Sequence, residues 1–304
     1  LFPTFIDLVS KSRPRAFFIE NVSGLMGPTC KEYFDYLLAR LAFCRRRGPV
    51  PIVESQNGIV APLRSKIFDY RVHFKVLNAA DFGVPQIRKR LFIVGLRNDL
   101  AVDWSWPTAT HSAESLCYDK FISGDYFDRF GVQPNRSKLK RSALERLHDE
   151  PNIDLRPHVT VREALEGLSV PTVRGDVNLA NHVLINGARI YAGHTGSELD
   201  APAKTVKAGA HGCPGGENMV RLDSGRVRYF TVRELARLQT FPDKYIFEGT
   251  RTQCVRQIGN AVPVGLGIAL LSRLARLMSR LIEEQSLPMK LGYDQRLSQD
   301  LFLG

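Results

Sequence analysis

The sequence predicts an α/β fold in which helix-flanked strands are joined to a second, irregular region. Three observations support this prediction. Short apolar segments alternate with amphipathic helical patterns over the first hundred residues. From about residue 107 to residue 225 the chain becomes rich in Gly, Pro, His and Asn, and helical patterns become rare. The longest helical pattern then follows near the carboxyl end, over residues 265–284.

The first third of the chain supplies two helices and three strands. Residues 1–11 carry apolar side chains at helical spacing, and an Arg-Pro-Arg loop ends that helix. Residues 33–43 predict a second helix, which closes on three arginines and a glycine, the basic pattern that a helix carboxyl end favours. Three short apolar runs predict buried strands: Ala16–Ile19, Tyr70–Leu77 and Arg90–Leu96.

Capping signals locate helices in the rest of the chain. Two Thr-x-x-Glu segments have the spacing of a capping box: Thr160 with Glu163, and Thr231 with Glu234. We therefore expect helices over 160–168 and 231–238. Residues 137–149 predict a solvated basic helix, with phosphate contact as the alternative. The helix over 265–284 places five leucines on one face: Leu266, Leu270, Leu274, Leu277 and Leu281.

The charge balance favours a polyanionic partner. Lys and Arg total 42 against 31 Asp and Glu, which gives a formal net charge of +11 and a pI of about 9.6. Nucleic acid is favoured over membrane, because no lipid-anchor motif is present and no apolar run reaches the ~18 residues of a transmembrane helix. A merely basic protein is the alternative. No signal-peptide pattern opens the chain, so secretion is not expected.

The cysteines predict neither a disulfide framework nor a metal site. Five are scattered without a CxxC pair or zinc-type spacing: Cys30, Cys44, Cys117, Cys213 and Cys254. Their odd number and low density favour a reducing compartment, so we expect a cytoplasmic protein with no bound metal. The chain begins at Leu1 inside a helical pattern, and we therefore expect it to be cut from a longer protein.

A lone carboxylate is the first candidate for chemistry. Glu20 stands at the end of the first buried strand, where α/β sheets place their active sites; a surface Glu that opens a loop is the alternative. Gln86, Arg88 and Arg90 are the second candidates, because residues two apart on a strand share a face. Their amide and guanidinium groups suit a phosphate or a carbonyl oxygen, and a solvated edge strand is the alternative.

Three later segments are weaker candidates. Residues 257–263 lead into the long helix, and Asn260 and Pro263 are ordinary signals for a helix start. The alternative is a functional role, in which the helix amino terminus and a closely approached Gly259 face an anionic or polar ligand group. Residues 231–242, taken alone, predict only a capped amphipathic helix. The glycines at 209–216 around His211 predict a flexible or closely approached loop.

In order and spacing, these segments resemble the later motifs of the DNA cytosine-5 methyltransferases. Four segments match motifs V–VI, VIII, IX and X: Arg13-Pro14 through Glu20-Asn21-Val22, Asp81 to Arg90, Arg228 to Pro242, and Gln257 to Pro263. The resemblance covers nearly the whole chain. It implies a partial Rossmann-like S-adenosylmethionine methyltransferase sheet with a smaller, irregular target recognition domain. The implied parts are a catalytic-domain portion (1–104), the target recognition domain including motif IX (105–240), and a return segment and helix (241–304).

The resemblance also implies a reaction. In the family a cysteine thiolate adds to C6 of a cytosine flipped out of duplex DNA, and C5 then takes a methyl group from S-adenosyl-L-methionine. By the matching motifs, Glu20 would hold and protonate the ring at N3, Arg90 would contact the carbonyl oxygen, and Arg88 would support the catalytic site. The remaining implied contacts are Asn21, Val22 and Gln86 to the substrate, and Asn260, Ala261 and Val262 to the cofactor.

The sequence departs from the family pattern at its beginning. The Phe-x-Gly-x-Gly cofactor loop and the Pro-Cys nucleophile loop precede the Glu-Asn-Val segment in the family, and this chain holds neither. Residues 285–304 contain no permuted copy, and Cys213-Pro214 reads in the reverse order, so we expect a structural cysteine there. We therefore expect the nucleophile to be absent and the chain alone to be inactive.

Several identities remain open at this stage. The chain could be the carboxyl-terminal portion of a bacterial restriction-modification methyltransferase, one subunit of a split enzyme that needs a complementary amino-terminal fragment, or a degenerate relic. A DNA-recognition fragment without catalysis is the alternative from another functional class. An RNA cytosine methyltransferase is a further alternative, against which the large variable region argues, because sequence-specific duplex recognition needs such a reader.

Overall fold

The computed structural model describes residues 2–286 except 51–52, 57, 63–67, 134–153, 193 and 209–217. Its main sheet has five strands: β1 (Ala16–Val22), β2 (Val53–Gln56), β3 (Ile59–Pro62), β4 (Tyr70–Asn78) and β5 (Lys89–Arg97). Their spatial order is β1-β5-β4-β3-β2, and every pairing is antiparallel. The three strands predicted from the sequence are β1, β4 and β5, and each extends by one to three residues past a predicted end.

The remaining elements are mostly short. The α-helices are α1 (Phe2–Ser12), α2 (Lys31–Ala42), α3 (Ala113–Tyr118), α4 (Asp125–Phe130), α5 (Val161–Leu165), α6 (Val232–Leu238), α7 (Arg251–Asn260) and α8 (Val264–Ser286). The small strands are β6 (His111–Ser112), β7 (Arg156–Pro157), β8 (Ser197–Glu198), β9 (Met219–Arg221) and β10 (Val227–Tyr229). The predicted helix over 137–149 and the glycine-rich loop that holds Cys213 lie outside the described residues.

Helices cover both faces of the main sheet. Phe17 of β1 and Ile93 of β5 pack with α1 and α2 on one face. Phe18 and Phe92, one residue away along the same strands, pack with the leucines of α8 on the other. This alternation follows from the two-residue period of a strand. The mixed α/β class predicted from the sequence is therefore confirmed as a layered arrangement of helices around a sheet.

A second hydrophobic cluster organises the irregular region. It contains Phe230, Leu235 of α6, Phe247 and Ile258 of α7, all at most 4% exposed. The strands of the irregular region are short and form a three-stranded sheet of order β10-β9-β8 and a parallel β6–β7 pair. The cluster therefore includes residues on both sides of position 240, where the sequence analysis places a domain boundary.

Capping explains where several helices begin. In the box that starts α6, the Thr231 hydroxyl accepts from the Glu234 N–H at 3.1 Å, and the Glu234 carboxylate accepts from the Thr231 N–H at 2.8 Å. Thr160 and Glu163 form the same reciprocal pair at α5. Both predicted capping boxes are confirmed. Thr250 and Gln253 form another at α7, a helix that the sequence analysis did not predict.

The segment 257–263 leads into the long helix, as predicted, but its first part belongs to another helix. Gln257–Asn260 forms the last turn of α7, a break in helical conformation follows over residues 261–263, and α8 begins at Val264 directly after Pro263. Pro263 explains the break, because a residue that precedes proline is disfavoured in helical conformation. Residues 251–283 hold a window with mean hydropathy 1.5, enough by length and composition for a membrane span. Leu266 and Leu270 of this segment are fully buried against the sheet, whereas 17% of the window as a whole is buried.

Candidate active site

The candidate site is an ion pair at one end of the main sheet. Arg90 Nε lies 3.1 Å from Glu20 Oε1, and the two side chains are 15% and 22% exposed. The β1–β5 register produces this contact, because Val22 stands opposite Arg90 and Glu20 stands opposite Phe92. Glu20 and Arg90 are thus diagonal neighbours on one face, within reach of long side chains. The structure brings these two candidates together in one half-buried place.

Burial makes the pair chemically distinctive. Desolvation lowers the pKa of Arg90, and the adjacent Glu20 carboxylate opposes that shift. The Arg90 guanidinium also donates through Nη1 to the Lys89 carbonyl oxygen at 2.9 Å. A fixed guanidinium and a carboxylate side by side offer N–H donors and an oxygen acceptor along one line. Such an arrangement can bind a planar ring that presents a carbonyl oxygen beside a ring nitrogen.

Arg88 points away from this pair into the protein. It is 1% exposed, and its guanidinium donates to three backbone carbonyl oxygens: those of Val206 (3.1 Å), Gly259 (2.6 Å) and Ala261 (3.1 Å). Desolvation, with the charge of Arg90 as a further cause, lowers the pKa of Arg88 to about 10, and Glu20 opposes this. Arg88 therefore joins the beginning of β5 to the end of α7.

Gln86 is buried in the same way. Its side-chain oxygen accepts from the Val206 N–H at 2.9 Å, and its Nε2 donates to the Leu238 carbonyl oxygen (3.2 Å) and to Gln239 Oε1 (3.3 Å). From their two-residue spacing, Gln86, Arg88 and Arg90 were expected to share one strand face. That expectation is wrong, because β5 begins only at Lys89 and the residues before it follow an irregular path after Pro85.

The other candidate residues lie in three different settings. The Asn21 side-chain oxygen accepts from the Val22 N–H at 2.8 Å, and Val22 is 55% exposed. Asn260 is exposed at the end of α7. The Ala261 carbonyl oxygen accepts from Arg88, and Val262 packs against the cluster under α8. Of the candidates for substrate and cofactor contact, Val22 and Asn260 are exposed, Asn21, Ala261 and Val262 are partly exposed, and Gln86 is fully buried.

Gly259 is in close contact with the backbone of another segment of the chain, residues 207–208. A Cβ added there would lie 2.5 Å from the Ala208 backbone nitrogen and 2.9 Å from the Lys207 carbonyl carbon. No side chain larger than hydrogen fits without moving one of the two chain segments. The segment 206–208 is thus held against the end of α7 by this contact and by the Arg88 hydrogen bond to Val206.

Two residues that the sequence analysis did not single out complete this junction. Gln239 Nε2 donates to the Ile258 carbonyl oxygen at 2.7 Å, and its side-chain oxygen accepts from Gln86. Thr240 Oγ1 accepts from the Gly265 N–H at 2.8 Å, which caps the beginning of α8. The only sign of them in the sequence is that they directly follow the helix that Thr231 caps. Together they bind α6 to both α7 and α8.

The described part of the chain contains no strong candidate for a thiolate nucleophile. Burial raises the pKa of the Cys44 thiol to about 11, with Asp69 as a further cause, and burial also raises the pKa of Cys117. Cys254 is buried, and Cys30 is a half-buried free thiol. No group of His, Cys, Asp or Glu among the described residues could hold a metal ion.

Comparison with known proteins gives the family. The model of the C-5 cytosine-specific DNA methylase family matches residues 54–276 of this chain. The chain belongs to this family. The Arg90 side of the ion pair and the Arg88 junction lie inside the matched range, whereas Glu20 precedes it. The resemblance inferred from four sequence motifs is therefore confirmed at the level of the family.

Bacterial type II methyltransferases are similar over almost the whole chain. The Streptomyces achromogenes methyltransferase M.SacI is 29% identical over 97% of this chain, which spans 69% of its length. The Escherichia coli methyltransferase M.Eco47II is 27% identical over 92% of this chain, which spans 58% of its length. Among solved structures, Spodoptera frugiperda DNMT2 is 15% identical, with a TM-score of 0.48, over 93% of this chain and 71% of that one.

Proposed function

We propose that the chain is the carboxyl-terminal portion of a bacterial restriction-modification enzyme that methylates cytosine C5 in duplex DNA. The Glu20–Arg90 pair carries this proposal, because it places at a half-buried sheet end the carboxylate and the guanidinium that the motif resemblance assigns to the cytosine ring. Cytosine presents its carbonyl oxygen next to N3, so Arg90 binds the oxygen while Glu20 binds and protonates N3. The target base is flipped out of the duplex to reach them.

Arg88 serves this site as a positioning residue. Its donors are directed at backbone oxygens and not at the solvent-facing pair, so its contribution is to hold β5 against α7. Gln86 and Gln239 act in the same junction. Asn21 and Val22 continue the strand beyond Glu20 and lie beside the base. We keep the division into a catalytic portion (1–104), a recognition domain (105–240) and a return segment (241–304) as part of this proposal.

S-adenosyl-L-methionine is the methyl donor in this proposal. Asn260 fits one edge of such a site, since it is exposed beside Val262 at the break between α7 and α8. The chemistry of the donor set fits only in part, because Asn260 is the one polar side chain among the three cofactor candidates. When bound, the cofactor supplies an electrophilic methyl group. The remaining cofactor contacts and the thiolate come from a complementary amino-terminal part, in the same protein or in a separate subunit.

Two open surfaces support the docking of such a part. Within the described residues β1 pairs only with β5, so its outer edge offers unpaired backbone groups. The long helix α8 exposes an apolar stripe on its outer side: Ile268 (60%), Leu271 (50%) and Ile282 (54%). An unpaired edge strand and an apolar helix face suit a neighbouring strand and helix.

A complementation assay tests the proposal. The chain is mixed with an amino-terminal fragment that carries a Phe-x-Gly-x-Gly loop and a Pro-Cys loop, and transfer of a tritiated methyl group to duplex DNA is measured. We expect transfer in the mixture and none from either part alone. Binding of duplex DNA without transfer in any mixture would favour the second candidate, a DNA-recognition fragment, which the net charge of +11 also suits. Transfer to tRNA in preference to duplex DNA would contradict the DNA assignment.

A further inference from the structure

A cationic cleft lies between α1 and α2, away from the candidate active site. Its volume is about 410 Å³. Five cationic side chains line it: Lys11, Arg40, Arg45, Arg46 and Arg47. Asp7 is its only carboxylate within the described residues. The imbalance of charge gives the cleft a strong preference for an anionic occupant. We call this cleft, with the tyrosines described below, the basic groove.

Part of the positive charge is already neutralised, and part is not. Lys11 pairs with Asp7 at 2.7 Å, and Arg45 pairs with Asp69 at 2.6 Å. Arg40 donates to the neutral carbonyl oxygen of Arg46 at 2.9 Å. Neither Arg46 nor Arg47 forms an ion pair with any residue that the structure describes, and both are exposed. Arg40, Arg46 and Arg47 therefore keep their charge for an external ligand.

Exposed aromatic rings stand next to these arginines. Tyr33 is 47% exposed and Tyr36 is 56% exposed, and both line the basic groove. Their three-residue spacing places them on one face of α2, and Arg40 continues that row four residues later. Phe2 meets the Tyr33 ring edge-on, with 6.5 Å between ring centroids, which limits the movement of that ring. Cations beside exposed rings suit a phosphodiester backbone whose bases are free to stack.

The basic groove and the Glu20–Arg90 pair lie on opposite faces of the sheet. The helices of the groove, α1 and α2, pack on the face that carries Phe17 and Ile93. Glu20 follows Phe18 by two residues in β1, and Arg90 precedes Phe92 by two residues in β5, so both belong to the face that α8 covers. A base held by the Glu20–Arg90 pair is therefore on the other side of the sheet from the tyrosines of the groove.

We propose that the basic groove is a second nucleic-acid site, which binds an unpaired strand of DNA or RNA. Stacking decides between single and double strands, because the faces of paired bases are closed to Tyr33 and Tyr36, whereas those of an unpaired strand are open. The site does not depend on the cytosine chemistry proposed above. It gives the run Arg45-Arg46-Arg47 a role beyond ending a helix.

A binding assay with a matched charge control tests this site. The probe is a fluorescein-labelled thymidine oligonucleotide of about 20 nucleotides, and its anisotropy is followed on titration with the purified chain. The double variant Arg46→Glu, Arg47→Glu should weaken binding at least tenfold and reduce the dependence of affinity on salt. Tyr36→Ala, which leaves the charge unchanged, should weaken binding about tenfold. The control is Arg276→Glu, Arg280→Glu, the same charge change at exposed arginines of α8 across the sheet.

The outcomes separate a defined site from general attraction. A loss in the groove variants, with the α8 control close to the unmodified chain, supports the proposal. An equal loss in the groove and control variants would show that net charge alone drives binding and would overturn it. So would a groove variant that loses duplex affinity but binds the oligonucleotide normally. Circular dichroism of each variant establishes that a loss reflects the groove and not unfolding.

Discussion

Arg88 Nη2 donates a 2.6 Å hydrogen bond to the carbonyl oxygen of Gly259, a residue 171 positions further along the chain. The same guanidinium reaches Val206 through Nη1. One side chain thus fixes three segments that are remote in sequence, namely the start of β5, the loop that follows β8 and the end of α7. The candidate active site is next to this junction, because Arg90 is only two residues beyond Arg88.

Removal of the Arg88 guanidinium should destabilise the protein strongly. In Arg88→Ala, the carbonyl oxygens of Val206 and Gly259 lose a charged donor while buried, and each such loss costs about 1–3 kcal/mol. We expect the free energy of unfolding to fall by about 3 kcal/mol in urea titrations. Arg88→Lys should recover only part of this, since an ammonium cannot reach diverging oxygens as the planar fork does. Arg280→Ala, an exposed arginine of α8, should change stability by less than about 0.5 kcal/mol.

Two glycine-to-alanine substitutions should change the stability of the protein in opposite directions. Gly259→Ala places a Cβ 2.5 Å from the Ala208 nitrogen, so the backbone must move, and we expect a loss of about 2 kcal/mol or more. In Gly267→Ala the nearest atom is a Val262 methyl group at 3.9 Å, an ordinary contact. There the better helix propensity of alanine should stabilise α8 by up to about 1 kcal/mol. The unfolding temperatures of both variants are measured against that of the unmodified chain. An equal change in the two variants would contradict the close packing at Gly259.

Local chemistry made part of this architecture predictable. The hydroxyl of Thr231 and the carboxylate of Glu234 satisfy each other's backbone groups within three residues, so the sequence alone contains the whole interaction. Glu20 and Arg90 were also expected to meet. That prediction depended on the resemblance to a family, since 70 positions separate the two residues and no local rule links them.

The burial of Gln86 and Arg88 could not be predicted in the same way. A two-residue spacing predicts a shared face only if the segment is a strand, and β5 begins after both residues. Their partners lie 118–173 positions further along the chain. For both residues the deciding interaction is tertiary. Periodicity did predict the long helix, because α8 spans Val264–Ser286 against the expected 265–284.

Stability should depend on pH through His73. Burial, with nearby Arg71 as a further cause, lowers the pKa of His73 from 6.5 to about 4, while Asp103 opposes the shift. The unfolded chain therefore binds the proton more readily between pH 6.5 and pH 4, and stability falls as the pH falls through that window. The contribution lost by pH 4 is about 3 kcal/mol.

A variant without the imidazole isolates this effect. The free energy of unfolding of His73→Leu is measured beside the unmodified chain from pH 7 to pH 4. We expect the unmodified chain to lose about 3 kcal/mol more than the variant over that range, because the other titrating groups are common to both. Parallel curves would show that His73 protonates equally well in the folded and unfolded states.

Glu20→Gln should separate catalysis from DNA binding in the completed enzyme. The amide keeps the shape of the side chain but cannot protonate the ring at N3 or pair as a charge with Arg90. We expect turnover of tritiated methyl groups into duplex DNA to fall by about 10²-fold or more. Affinity for duplex DNA should change little, because phosphate contacts elsewhere supply most of it. Glu32→Gln, which removes an exposed carboxylate from the first turn of α2, is the matched control and should leave turnover unchanged. A Glu20→Gln enzyme that turns over at the normal rate would remove this carboxylate from the mechanism and leave the ion pair a structural role alone.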